Sequence, residues 1–197
     1  MVDGRIGDRL TFKTVADVSP SSKPMHAEPR CAVRLREAVR RAEPMLRAIS
    51  EDMSARPPAP GKWSPRQIIG HLIDSASNNH QRFVRAAWKD DLIFPGYEQE
   101  QWVELQRYQT QPWSELLTFW SAYNRHLAVL MAAVPLEART RIHERHNLDE
   151  IATRAPTKRT EQTLDYFMSD YVDHLELHMQ QILGREWPAA EPVAAAA

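Results

Sequence analysis

The stretch WSPRQIIGHLIDSASNNHQRFVRAAWK, residues 63–89, holds the clearest helix start in the chain. Ser64 offers a side-chain oxygen to a backbone N–H. Pro65 has the fixed φ that suits a first helical position, and Gln67 stands where a capping box closes. Beyond this cap, Ile68, Leu72, Ile73 and Phe83 fall on one face at helical steps. The pattern predicts a helix from Pro65 to about Lys89. Gly70 sits inside it at a cost of about 1 kcal/mol relative to alanine. A residue that small permits close approach by another helix. Beside the apolar face runs a polar stripe of His71, Ser75, Asn78 and Arg82. Such a stripe either meets solvent or lines a pocket between helices.

Working outward, three further long helices are predicted. One runs from about Ala32 to Ala55, with Pro44 as a kink point. It is followed by the linker RPPAPGK, whose prolines and glycine break a helix. Another runs from Pro112 to Val134, with Thr110 as a candidate cap. The last starts near Thr160 and ends at Gly184, a residue suited to a helix C-terminus. Residues 98–108 read as a short helix, DDLIFPGYEQ as a loop, and residues 136–160 carry no clear pattern. No alternating β-pattern is present. Four long helices with a long crossing connection before the last predict an all-α protein built as a four-helix bundle.

The chain has 197 residues and a formal net charge of -1. That length fits one domain with tails. We expect a mobile extension over 1–30, a bundle over 31–187 and a disordered tail over 188–197. The near-neutral charge gives no general attraction to nucleic acid or to an anionic membrane. No apolar run approaches the roughly 20 residues that span a bilayer, and no signal-peptide core is present. The single cysteine, Cys31, excludes an intrachain disulfide. A soluble, cytoplasmic protein is the expectation.

In the last helix, DYVDHLELHMQQI (170–182) places His174 and His178 four residues apart, so both side chains leave the same face. Neutral imidazoles at this spacing can share one metal ion. The spacing alone is a weak signal, because it recurs by chance. HExxH is absent, so no glutamate stands in the position of a zinc protease base. A site needs a third ligand. The candidates are His71, His80, His126, His143 and His146. The last two are read as exposed loop histidines.

KWSPRQIIGHLIDS together with DHLELHMQQI resembles the DinB superfamily, in particular its branch of bacillithiol S-transferases and metal-dependent hydrolases. The resemblance rests on Trp63, Arg66-Gln67, His71, Asp74-Ser75, Asn78, Arg82-Phe83, the stretch FPGYEQEQWVELQ and the helical HxxxH. It covers roughly residues 60–185. It implies an antiparallel four-helix bundle with a divalent metal at one end, held by His71, His174 and His178. Two departures stand out. A glycine lies between the proline and tyrosine of FPGYEQ, and residues 142–160 match only loosely.

Three neutral imidazoles leave a divalent ion its full charge and open positions. The expected cofactor is zinc, nickel or iron, with zinc favoured. The expected chemistry is attack by a low-molecular-weight thiol or by water on a small-molecule substrate. The resemblance favours the thiol. Asp74 and Asp173 are candidate hydrogen-bond partners of the ligand imidazoles. Asn78, Arg82 and Tyr97 are candidates for contacting a polar or carboxylate-bearing substrate. Apolar helix faces permit a homodimer. Two other readings stay open: a non-catalytic metal-binding stress-response bundle, and a helical interaction module whose histidines bind nothing.

Overall fold

In the computed structural model, which describes residues 27–187, the predicted cap forms. Ser64 Oγ accepts the Gln67 backbone N–H, and Gln67 Oε1 accepts the Ser64 N–H at 3.0 Å. Among the described residues the helices are α1 (Arg30–Arg47), α2 (Glu51–Ser54), α3 (Pro65–Ala86), α4 (Gln99–Leu105), α5 (Trp113–Ala133), α6 (Leu136–Thr140), α7 (Leu148–Ile151) and α8 (Leu164–Leu183). No strand longer than the isolated bridge between Leu92 and His146 occurs among them. The expected extension falls mostly outside the described residues, as does the tail.

The long helices α1, α3, α5 and α8 form the bundle. α1 packs on α5 and α8, and α3 packs on the same two, so α1 and α3 stand across a diagonal. Pairings along the helices give their directions. Leu46 meets Trp113 while Glu43 meets Arg125, so α1 and α5 are antiparallel. His71 meets His174 while Phe83 meets Phe167, so α3 and α8 are antiparallel too. Arg34 bonds Asp173 and Arg41 lies over Trp187, so α8 runs with α1. The long helices α3 and α5, successive in the bundle, therefore run the same way. The connection over residues 87–112 must travel back along the bundle to allow this.

That return path explains Gly70. Tyr108, in the turn before α5, packs directly on it, and a Cβ at Gly70 would clash with the edge of the Tyr108 side chain. The close approach comes from a turn residue, where a neighbouring helix was expected. The same tyrosine donates its hydroxyl to Asp74 Oδ1 at 2.7 Å. Gly70→Ala should destabilise the protein by about 2 kcal/mol, because overpacking outweighs the gain of about 1 kcal/mol in helix propensity. Urea unfolding monitored by circular dichroism checks this.

Local chemistry sets the other helix ends. The first helix was expected to continue to Ala55, but it ends at Arg47. Ser50 opens a new short helix by accepting the Met53 N–H. Pro44 lies inside α1 without ending it. At α5 the cap expected from Thr110 is absent. The Glu51 carboxylate accepts the Trp113 N–H at 3.2 Å instead. Thr163 caps α8 through the Tyr166 N–H, and Gly184 follows its last residue at φ 60°. The core between the helices holds Trp120, Phe83, Phe167, Leu72 and Leu127, all fully buried. No helix among the described residues is long and apolar enough to cross a membrane.

Candidate metal centre

His71 lies in the second turn of α3, and its side chain is buried. His174 and His178 lie one turn apart on α8. The antiparallel packing of α3 on α8 brings the three rings together. His71 Nε2 is 3.2 Å from His174 Nε2, which is 3.1 Å from His178 Nε2. One ring nitrogen of each lies within 4.8 Å of the other two. The indole of Trp63 packs against the His71 ring, with centroids 5.2 Å apart.

Hydrogen bonding among these rings does not account for the arrangement. His178 Nδ1–H donates to Gln181 Oε1 at 2.9 Å, so the Nε2 of that neutral ring is a bare lone pair. A single proton on His174 Nε2 can serve only one of its two close neighbours. The nitrogens instead have the spacing of a ligand set. Metal–nitrogen bonds of about 2.0–2.1 Å at tetrahedral angles put adjacent nitrogens roughly 3.3 Å apart. The buried His71 Nδ1 has no partner in the protein. The three residues thus fit a divalent cation in number, element and spacing.

Their electrostatics suit the same role. Burial, with a smaller effect of neighbouring imidazoles, pushes both His71 and His174 down to about 3. Burial also lowers His178, partly offset by its bond to Gln181. All three are neutral at physiological pH, as ligation requires. An unfolded histidine titrates near 6.5. Below about pH 6.5, the unfolded chain therefore binds protons that the folded, metal-free protein refuses. The stability from this source is complete above about 6.5 and declines as pH falls toward about 3. The urea midpoint of metal-free protein should hold above about pH 7 and drop steadily between about pH 6.5 and 4.5. A flat profile would contradict neutral burial of the histidines.

The residues expected to support the ligands are placed otherwise. Asp74 Oδ1 accepts from Tyr108 and Gln106, and no hydrogen bond joins it to an imidazole. Asp173 is held by Arg34, at 2.8 Å, and by Arg154, on the side of α8 that meets α1. Both carboxylates were candidates for partnering the ligand imidazoles, and they brace the helices instead. The supporting residue that sequence reading missed is Gln181, one turn beyond His178 on the same face.

A cavity of about 240 Å³ opens beside His174. Arg82 and Tyr97, both candidates for substrate contact, line it. Asn78 does not. Its amide folds back onto the Asp74 carbonyl at 2.9 Å, and Asn79 stands in the cavity wall in its place. Asp170, one turn before His174, also lines the wall, and its oxygens accept the Thr153 and Arg154 backbone N–H groups. The i, i+4 relation of Asp170 to His174 was the available signal for it.

The remaining histidines lie elsewhere. His80 contacts the Tyr123 hydroxyl at 3.2 Å and meets the ring of His126. His143, expected to be exposed, is buried, with Nδ1 3.1 Å from the Asp90 carbonyl oxygen. His146 is half-buried, and its Nδ1 accepts the Leu148 N–H. Cys31 is buried, and its thiol is pushed up to about 11 by that burial, which makes it a poor nucleophile.

A helical bundle with three converging imidazoles at the edge of a small polar cavity defines a class of candidate metal-binding proteins. The model of the DinB superfamily matches residues 34–182, and the chain belongs to that superfamily. Its structure is similar to that of YfiT from Bacillus subtilis, with a TM-score of 0.64 and 21% identity, covering 89% of this chain and 93% of that one. YfiT is described as a probable metal-dependent hydrolase with an unusual four-helix bundle topology. No curated protein matches the chain.

Proposed function

We propose that this protein is a metal-dependent enzyme acting on small molecules, with His71, His174 and His178 holding one divalent cation. The observation that carries the reading is the meeting of three neutral imidazole nitrogens, 3.1 and 3.2 Å apart in sequence around His174. The description of YfiT as a probable metal-dependent hydrolase supports the same reading. Zinc suits the donor set best, and nickel and iron also fit it.

When bound, the cation supplies a Lewis acid that lowers the pKa of a coordinated thiol or water. The chain's own residues do the rest. Gln181 fixes the tautomer of His178. Trp63 and the core side of α3 shield His71 from solvent. The Tyr97 hydroxyl, raised by burial to about 12, stays protonated and can donate a hydrogen bond in the cavity. The nucleophile we favour is a low-molecular-weight thiol delivered to an electrophilic substrate, with water as the alternative. Neither the buried Cys31 nor a serine signature offers a nucleophile from the protein itself.

Untagged protein should retain a stoichiometric divalent metal, and His71→Ala should lose it. Metal-loaded protein should turn over a thiol with a chloro-aromatic or epoxide substrate, and a chelator should abolish that activity. Metal binding without turnover across thiol and hydrolytic panels would favour a non-catalytic metal-binding bundle.

A further inference from the structure

We propose that the cavity beside the histidines takes a small molecule through a carboxylate that pairs with Arg82. The inference rests on reading that cavity as the substrate site. Three arginines are buried among the described residues: Arg66, Arg82 and Arg139. Arg66 pairs with Glu51, and Arg139 pairs with Asp165. Arg82 is 6% exposed and has no carboxylate partner among the described residues. Its single hydrogen bond there runs from Nη2 to the Pro95 carbonyl at 2.6 Å.

A guanidinium stays charged in any protein environment, and a buried charge without a counter-ion is costly. The surroundings do not relieve Arg82 from within. Asp170 and Glu150 also line the cavity, but neither pairs with Arg82: the Asp170 oxygens accept the backbone N–H groups of Thr153 and Arg154, and Glu150 Oε2 lies 3.4 Å from the Asn147 amide nitrogen. Tyr97, on the same wall, is a neutral hydroxyl and adds a second donor. The planar fork of arginine matches a carboxylate in a bidentate manner.

The position along α3 gives the pairing a purpose. Arg82 lies three helical turns beyond His71, and Arg82 and His174 line one cavity. A molecule held at Arg82 by its carboxylate extends toward the histidines with its other end. At about 240 Å³ the space falls just below the usual range for ligand cavities, roughly 300–1,000 Å³, so the molecule is small.

The test uses metal-free protein at pH 8, where the histidines are neutral and no cation competes for the carboxylate. Succinate and its neutral diamide, succinamide, serve as matched probes in calorimetric titrations. Wild-type protein should bind succinate at least about tenfold more tightly, the effect of one charge-assisted pair. Arg82→Met should lose that preference and Arg82→Lys should keep part of it. His71→Ala should keep all of it. Equal affinity for the two probes, no binding of either, or a preference that survives Arg82→Met would overturn the proposal. Should Arg82→Met fail to fold, the Arg82 Nε–H resonance of the wild type decides. Succinate should shift it and succinamide should not, and an unmoved resonance overturns the pairing. These measurements need no metal, so they stand or fall apart from the metal titration of His71→Ala.

Discussion

Replacing His174 with alanine should lower the affinity for zinc or nickel by about a hundredfold or more. His174 is the middle member of the set, with its Nε2 close to both other nitrogens. Without it, His71 and His178 belong to different helices and two ligands hold a divalent ion poorly. Loss of a group that merely supports a ligand typically costs 10- to 100-fold in metal affinity, and loss of a ligand costs more. Competition against a chromophoric chelator measures the change. The metal-free fold should survive, because the ring makes no hydrogen bond outside the histidine cluster. Circular dichroism and the urea midpoint of the metal-free variant serve as controls. Unchanged metal affinity would mean that the ion binds elsewhere.

The second large effect concerns stability. Arg66 is buried and ties three segments together. Its guanidinium donates to Ser54 Oγ at 2.9 Å and to the Glu51 carbonyl at 2.8 Å, and it pairs with the Glu51 carboxylate. It also donates to the Gln111 carbonyl at 3.1 Å. The same Glu51 carboxylate caps α5 through Trp113. Arg66→Ala should therefore remove a donor from the Glu51 and Gln111 carbonyls and loosen α2 and the start of α5 together. The Glu51 side chain is largely exposed, so water takes over its charge. The expected loss is about 3 kcal/mol, a drop in Tm of roughly 10 °C for a domain of this size. Calorimetry checks it, and Arg66→Lys should recover less than half, because an ammonium cannot span the same acceptors.

Much of this architecture is legible in the sequence where the deciding chemistry is local. The capping box at Ser64 and Gln67 fixes where α3 starts, and with it the turn on which His71 stands. The four-residue step from His174 to His178 fixes their shared face. The direction of one helix relative to another is not local. Nothing in the periodicity of α3 or α5 distinguishes parallel from antiparallel packing, and the return of residues 87–112 to Gly70 is a property of the fold. Asn78 and Asn79 differ by 100° around α3. Which of them meets the cavity depends on how the helix is rolled against α8, and no single-helix pattern carries that. Asp74 and Asp173 were plausible supports for the imidazoles on spacing alone. Their partners, Tyr108 and Gln106 for one and Arg34 and Arg154 for the other, come from distant parts of the chain.

The metal reading of the site is tested most directly by X-ray absorption on zinc- or nickel-loaded protein. The account predicts imidazole scattering from three histidines at about 2.0–2.1 Å, and loss of that signal with the bound ion in His71→Ala. Fewer than three imidazoles in the wild type, or an unchanged spectrum in the variant, would contradict it.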